Sequence, residues 1–164
     1  MTAFPPELVV GMLAMLPVTE LRVAIPVGVV GFHLPVGETF LVAEIGNAVP
    51  VVIVYALCDR IAKLAERRRG FWHRWAHKLM HRSHRRVHAA VQRWGPFALT
   101  IFVGLPLPGT GVWFASIGAY LLHIPFRRAF PFIILGNLIA GVIVTLAVTG
   151  AVAAFRIFLP MLDL

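Results

Sequence analysis

Long apolar stretches, interrupted by one strongly basic segment, constrain what this chain can form more than any other feature. The stretches lie at about 8–32, 35–58, 96–122 and 129–150, and each is long enough for the ~20 residues that span a bilayer core. Hydrophobic residues make up 59% of the chain and charged residues 13%, against ~45–50% and ~25% in soluble domains. This composition excludes a soluble, disordered or fibrous protein. It predicts an all-α integral membrane protein with a single membrane domain, residues 1–164.

Two of the stretches contain helix breakers near their centres. Proline removes a backbone donor and glycine permits non-helical dihedrals, so a helix should stop at Pro17 and again at the sequence PLPGTG, residues 106–111. The pieces on either side are too short to cross a bilayer at 1.5 Å per residue. Each broken stretch therefore predicts a re-entrant hairpin whose tip is buried around a site at membrane depth. The predicted elements are re-entrant hairpins at 7–32 and 95–122 and transmembrane helices at 35–58 and 126–150.

The distribution of positive charge favours two membrane crossings over four. Residues 59–93 hold eleven of the fifteen Lys and Arg residues, and Arg127 and Arg128 precede the last apolar stretch. Two crossings place both groups on one face, as the positive-inside tendency requires, whereas four would separate them. We therefore expect a multi-pass protein of the cell inner (cytoplasmic) membrane with its termini outside. The basic linker 59–94 is expected to be a cytoplasmic, amphipathic helical segment at the lipid head groups, and residues 151–164 to be a C-terminal tail.

A shift of 90 residues aligns part of the chain with itself. Because His, Pro and a Gly-Asn pair match at one shift, apolar composition alone does not explain the alignment. It predicts two repeat units, 1–58 and 95–150, each a hairpin followed by one crossing helix. Since each unit crosses the membrane once, the second is inverted relative to the first, which is a transporter architecture. The identical pairs are Gly28/Gly118, His33/His123, Pro35/Pro125, Phe40/Phe130, Gly46/Gly136, Asn47/Asn137, Val52/Val142, Ile53/Ile143 and Val54/Val144.

Three charged residues lie deep within the apolar stretches, at the level of the bilayer core. Glu20 and Arg22 fall at the first predicted tip, and Glu44 falls in the first crossing helix. Such residues are costly in a membrane and often mark substrate or proton pathways. Glu20 and Arg22 form either a structural ion pair or a substrate site in which the planar arginine binds an anionic head group. Glu20 and Glu44 are candidates for proton coupling, although a silent salt bridge from Glu44 to Arg22 is an alternative.

Glycine and asparagine indicate where backbones approach one another. Asn47 and Asn137 each follow a glycine, and we expect them to support helix packing by hydrogen bonds. In the PLPGTG segment, two prolines and two glycines expose backbone groups without side-chain obstruction. We expect this segment to form half of a substrate cradle rather than a turn without a ligand.

The sequence gives little support for other chemistry. It contains no motif for a nucleophile with its base, a phosphate-binding loop or a zinc protease, so we do not expect an enzyme. Cys58 is the only cysteine, which excludes an internal disulfide. Five histidines between residues 73 and 88 form a stripe along the linker without a carboxylate or cysteine beside it. We therefore expect no metal, no cofactor and no nucleic acid.

Four strings of residues resemble one family of membrane proteins. They are LPVTELRVAIPVG (16–28), IGNAVP (45–50), FVGLPLPGTGVW (102–113) and LGNLIAGVIVT (135–145). They are similar to the small multi-drug export protein family, which is distantly similar to DedA-type (VTT domain) membrane proteins with facing re-entrant hairpins. The DedA-type resemblance implies translocation of lipids, including a polyprenyl-phosphate carrier, whereas the family name implies drug export. The family's hairpin motifs imply these substrate-binding residues: Glu20, Arg22, Pro26, Pro106, Pro108, Gly109 and Thr110.

Three functions stay open at this point. Arg22 and the helix ends favour translocation of an anionic amphiphile or lipid, such as a polyprenyl phosphate or a phospholipid, with proton coupling as a further expectation. Export of small lipophilic drugs through Glu20 and Glu44 is one alternative. A membrane scaffold that transports nothing is the other. Because the predicted bundle is small, we also expect a homodimer in the lipid bilayer.

Overall fold

The computed structural model describes residues 4–67, 95–106 and 110–162. Within these ranges every regular element is a helix, which confirms the all-α prediction. The rest of the basic linker, with its histidine stripe, lies outside the described residues, as do Pro108 and Gly109. The elements are α1 (Pro6–Met15), α2 (Glu20–Pro26), one π-helical turn (Val27–Gly31), α3 (Val36–Arg67), α4 (Phe97–Gly104), α5 (Val112–Leu121) and α6 (Phe126–Leu162).

Two helices are long and apolar enough to cross a membrane. Their apolar parts are Val36–Ile61 in α3 and Phe126–Phe155 in α6. The starts agree with the predicted crossing helices to within one residue, while both helices continue beyond the predicted ends at 58 and 150. The other two apolar stretches each contain two short helices instead of one long one, with breaks at 16–19 and 105–111.

The predicted linker and tail both begin inside helices. No proline or glycine lies between residue 51 and the end of α3, so nothing in the local sequence ends the helix at residue 58. One turn of this extension carries an ion pair, with Lys63 Nζ 2.7 Å from Asp59 Oδ2. Residues 151–159 likewise contain no helix breaker, so α6 continues where the sequence predicted a tail.

The chain forms two compact units. Unit 1 comprises Met1–Ala48 and Leu138–Leu164, and unit 2 comprises Val49–Asn137. Each unit therefore holds one pair of short helices together with a part of α3 and a part of α6. The unit boundaries fall inside the long helices, whereas the predicted repeats end with them.

The core of unit 1 is built largely from alanine. Small side chains let helices approach closely, which is how helices associate where water supplies no hydrophobic driving force. The π turn and the chain after it close over this core, with Phe32 and Leu34 packed against it. The buried members are Val10, Ala14, Leu21, Ala24, Ile25, Ala43 and Ala140.

The core of unit 2 is larger and carries directional contacts. The Tyr55 hydroxyl donates to the carbonyl oxygen of Ile124 at 3.1 Å. The Tyr55 ring meets Tyr120 and Phe126 edge to face, with centroid distances of 5.9 and 5.3 Å, the geometry that the ring quadrupoles favour. The buried members are Val51, Tyr55, Leu99, Val103, Val112, Ala115, Ala119, Ala129 and Ile133.

In each unit one glycine lets a long helix touch the backbone of a short one. A Cβ at Gly46 would lie 2.5 Å from the carbonyl oxygen of Gly11 in α1. A Cβ at Gly136 would lie 2.7 Å from the carbonyl oxygen of Thr100 in α4. Since the obstructing atoms belong to the backbone, only glycine fits at either position without moving a helix.

The two pairs of short helices have matching burial patterns. The offset between matching residues is 89 in the first helices and 91 in the second helices. It changes because Val112 follows Val103 by nine positions, whereas Leu21 follows Ala14 by seven. The matching buried pairs are Val10 with Leu99, Ala14 with Val103, Leu21 with Val112, Ala24 with Ala115 and Ile25 with Ser116.

The π turn after α2 adjusts this offset before the long helices begin. The Phe32 amide donates to the Val27 carbonyl at 2.9 Å, five residues back, so the turn holds one residue more than an α-helical turn. His33 and His123 then lie 90 residues apart, with left-handed φ values of 55° and 56°. Each lies two residues before the proline that precedes a long helix, outside any regular helix.

We expect Thr100→Val to destabilise unit 2. The Thr100 hydroxyl donates to the Phe132 carbonyl of α6 at 2.9 Å, and the side chain is buried. The loss should be about 0.5–1.5 kcal/mol, the net value of one hydrogen bond, measured by thermal unfolding of the purified full chain. Thr149→Val is the control, because its hydroxyl donates to Thr145 of its own helix. Equal losses in the two variants would contradict the prediction.

Candidate functional site

The first break is closed by a threonine hydroxyl. Thr19 Oγ1 donates to the carbonyl oxygen of Leu13 at 2.5 Å, which satisfies one of the carbonyls left open at the end of α1. The Glu20 amide donates to the Leu16 carbonyl at 3.1 Å and the Val23 amide donates to the Thr19 carbonyl at 3.1 Å. These bonds fix the chain at the point where α2 begins with Glu20.

Glu20 combines burial with an unfavourable backbone conformation. Its side chain is 4% exposed, and its φ of 46° is left-handed. A non-glycine residue in this region costs energy, and such residues concentrate at functional sites. At the matching position of the second break, Gly111 has a φ of 134°, which glycine adopts without strain. The chain therefore holds a glutamate where its other half uses a glycine.

The apex of the first break does not follow the prediction of a buried tip. Leu16 is 50% and Val18 is 90% exposed, whereas Glu20 and the residues after it turn into the core. Arg22 and Pro26 are half-buried, and Pro26 lies at the junction of α2 with the π turn. In this chain the buried part of the segment begins at Glu20, and the α2 residues Leu21, Ala24 and Ile25 enter the core of unit 1.

Glu44 occupies a space that a glycine leaves open. Its side chain is 8% exposed, and the nearest atom to a Cβ built on Gly141 of α6 is Glu44 Oε1, followed by the ring of Phe40 at 2.9 Å. The carboxyl group therefore lies against the backbone of α6. This places Glu44 inside unit 1, on the side of α3 that faces α6.

Buried polar side chains accompany these carboxyls. Asn47 and Asn137 are each 1% exposed, and each follows the glycine at which its long helix touches a short one. Thr39 is fully buried beside Gly28, where a Cβ would overlap the threonine methyl. Its hydroxyl has no hydrogen-bond partner within the described part of the chain.

The second break also depends on a threonine. Thr110 Oγ1 donates to the carbonyl oxygen of Leu105 at 2.7 Å, as Thr19 does to Leu13 in unit 1. Pro106 and Thr110 are half-buried. Both breaks are therefore closed by the same kind of bond, from a threonine just before the second helix to a carbonyl near the end of the first.

The structure distributes the predicted site residues over both units. Unit 1 holds five of them, and unit 2 holds the described residues of the PLPGTG segment and one asparagine. Sequence analysis did not identify Thr19 or Gly141; a glycine in an apolar helix is the signal that marks the latter. The predicted residues of unit 1 are Glu20, Arg22, Pro26, Glu44 and Asn47, and those described in unit 2 are Pro106, Thr110 and Asn137.

The arrangement offers carboxyl, amide and guanidinium groups in a helical scaffold. No group of three or more His, Cys, Asp or Glu residues suited to a metal ion occurs among the residues that the structure describes. Two long apolar helices, with Glu20 and Arg22 on a short helix and Glu44 inside a long one, indicate a membrane protein, and charged groups inside apolar segments often serve transport there.

The comparison with known families assigns the chain more closely. It belongs to the family described as "Putative small multi-drug export protein", which it matches over residues 20–143, more than half of its length. The match begins at Glu20, directly after the first break, and includes the second break, all of α3 and α6 as far as residue 143. The family is one of export proteins, so it describes a transporter rather than an enzyme. No curated protein and no solved structure matches the chain significantly, and the DedA-type resemblance stays a prediction.

Proposed function

We propose that this chain exports small lipophilic compounds across a membrane and exchanges them for protons at Glu20 and Glu44. The observation that carries the proposal is the burial of two carboxyl side chains, 4% and 8% exposed, in one unit of a protein built on two long apolar helices. Buried carboxyls in membrane helices commonly take up protons or pair with cations. The description of the family supports a drug-type substrate.

The scaffold alternative explains these residues less well. A protein that only organises other components has no need for charged side chains inside its helix bundle, where each costs free energy. The left-handed φ of Glu20 adds a second cost at the same residue. Function is the usual reason for keeping a residue that a glycine could replace.

A second candidate substrate is an anionic amphiphile, such as a polyprenyl phosphate or a phospholipid. Arg22 supports it, because this side chain is half-buried and therefore more accessible than Glu20. A guanidinium group binds phosphate through paired hydrogen bonds. In this candidate function Arg22 binds the head group, and the predicted similarity to DedA-type proteins points to the same class of substrate.

We further propose that each pair of short helices is a re-entrant hairpin and that the chain is an inverted repeat. The matched burial patterns, the paired threonine bonds and the paired glycine contacts support this. Inverted repeats with broken helices are typical of transporters. We propose substrate contacts for Glu20 to Pro26 in unit 1 and, separately, for Pro106 to Thr110 in unit 2, with Pro108 and Gly109 as predicted members.

The proposed setting is the cell inner membrane, with the linker 59–94 in the cytoplasm and both termini outside. In one strongly apolar window of 18 residues within Phe126–Phe155 of α6, only 11% is buried inside the protein. Lipid and a second copy of the chain are the proposed neighbours of that surface, so the transporter is proposed to be a homodimer.

Transport in proteoliposomes tests the proposal. The full chain should accumulate a fluorescent lipophilic cation when a pH gradient is imposed, and Glu44→Gln should reduce the rate about tenfold, equivalent to ~1.4 kcal/mol. Glu38→Gln is the matched control, since Glu38 is exposed on the same helix. Absence of cation transport by the wild type would contradict drug export.

The same vesicles test the second candidate with a fluorescent polyprenyl phosphate. Transport that Arg22→Gln abolishes and Arg127→Gln leaves intact would establish the lipid substrate, because Arg127 is an exposed arginine outside the broken helices. Vesicles that move neither the cation nor the lipid would leave the scaffold as the remaining function.

A further inference from the structure

We infer that Gly141 is a positioning residue: by lacking a side chain, it creates the space that holds the Glu44 carboxyl group against α6. The expected effect of Gly141 on transport rests on the proposed function. The position of the Glu44 carboxyl group against α6 does not depend on transport. Neither the family match nor the sequence assigns a role to Gly141.

The position of Gly141 on α6 supports the inference. Ala140 belongs to the buried core of unit 1 and Val144 packs against it, so this part of α6 faces the interior of the unit. Thr145, one turn after Gly141 on the same face, has a buried hydroxyl without a hydrogen-bond partner among the described residues. Around Gly141, the interior face of α6 therefore combines an open backbone surface with an unused hydroxyl.

The close contact at Gly141 differs from those at the other packed glycines. At Gly46 and Gly136 the nearest obstructing atom is a backbone carbonyl oxygen, whereas at Gly141 the obstructing atoms belong to side chains, first the end of Glu44 and then the ring of Phe40 at 2.9 Å. A flexible side chain can move away, so an alanine at Gly141 should displace the carboxyl group and leave the helices in place. Gly141 thus mainly determines the position of the Glu44 carboxyl group, and it has less influence on whether the chain folds.

Labelling by a carbodiimide, whose rate is limited by how readily the reagent reaches the carboxyl group, provides a readout that needs no transport. In the purified full chain, Gly141→Ala should raise the labelling rate of Glu44 about threefold or more, because the displaced carboxyl loses its shelter against α6 and Phe40. Gly150→Ala is the matched control on the same helix, where a Cβ meets no atom within 4 Å. An unchanged rate in Gly141→Ala, or an equal rise in Gly150→Ala, would overturn the inference.

Shortening the glutamate provides a rescue test. Glu44→Asp withdraws the carboxyl group by one methylene, away from the position of the new Cβ. In the wild-type background, Gly141→Ala should reduce transport about tenfold. In the Glu44→Asp background, the same change should alter labelling and transport only within about twofold. A loss of the same size in both backgrounds would show that Gly141 acts through something other than the carboxyl.

A folding defect would also be informative. If Gly141→Ala lowers the yield of monodisperse protein, Glu44→Ala in the same chain should restore it, because the overlap involves the glutamate side chain. Failure of that restoration contradicts the inference. A wild type that transports nothing, yet shows the predicted labelling changes, would contradict the proposed function and leave the positioning role of Gly141 intact.

Discussion

Gly46→Ala and Gly136→Ala are expected to be the most destabilising single-methyl changes in this chain, each lowering stability by about 1–3 kcal/mol through overpacking. At both positions the new Cβ would lie 2.5–2.7 Å from a backbone carbonyl oxygen of a short helix. Real Cβ atoms do not approach an oxygen so closely, so the short helix must move. That movement disturbs the neighbouring asparagine, Asn47 or Asn137, which is almost completely buried.

The measurement is the apparent melting temperature of the purified full chain in detergent, read from the loss of the size-exclusion peak after heating. Each variant has a control on its own helix: Gly37→Ala for α3 and Gly150→Ala for α6, where the added Cβ meets nothing within 4 Å. The controls should match or exceed the wild type, because alanine reduces the entropy of the unfolded chain. Equal melting temperatures for all four variants would refute the close approach.

The second large effect is expected from neutralising the start of α2. In the double variant Glu20→Gln with Arg22→Gln, the buried Glu20 keeps its size and only the half-buried Arg22 is shortened, so the short helix should still pack through Leu21, Ala24 and Ile25. Transport, in contrast, should fall by about tenfold or more, equivalent to at least ~1.4 kcal/mol, because both groups proposed to contact protons or substrate have lost their charge.

This double variant separates transport from a scaffold role. A scaffold would retain its phenotype in cells, whereas a transporter would lose its activity with a normal yield and melting temperature. The matched control is Glu38→Gln with Arg127→Gln, which removes the same charges from exposed positions. Transport at the wild-type rate in the Glu20 and Arg22 variant would exclude these residues from the mechanism.

Helix breaks and crossing segments could be predicted from the sequence because their causes are local. Proline and glycine act on the residues beside them, so the interruptions after Leu16 and Leu105 follow from composition. The predicted ends of the long helices lie too early in the chain, because no local helix breaker marks the true ends. Loss of apolar character does not end a helix when no breaker is present, and α3 continues through charged residues to Arg67.

A single shift of 90 residues describes the long helices but not the short ones. It pairs Gly28 with Gly118, whereas the burial pattern of α2 and α5 places Gly28 opposite Ala119. The longer second break and the π turn change the offset, and neither can be read from residue identities. A π turn depends on tertiary packing of the segment, which the sequence does not display locally.

The sequence is enough to select candidate site residues, but it does not identify the residues that pack against them. A charged residue in an apolar stretch is conspicuous, which is why Glu20, Arg22 and Glu44 could be selected from the sequence. Gly141, which packs against Glu44, could not be selected from the sequence. It lies nearly a hundred residues from Glu44, and one glycine in an apolar helix resembles another. Only coordinates distinguish Gly141, which faces a carboxyl, from Gly150, which faces nothing within 4 Å.

The composition of unit 1 has a consequence for how the chain is made. Its core joins Val10, Ala14 and Ala43 from the beginning of the chain with Ala140 from near the end, so it contains contacts of very long sequence separation. Such contacts form late, since a long loop must close first. A ribosome delivers α1, α2 and α3 well before α6, and until α6 arrives the Glu44 carboxyl lacks the surface on which it will rest. Unit 2 is formed by one continuous segment of the chain and can fold earlier. During biogenesis, unit 2 should therefore fold before unit 1.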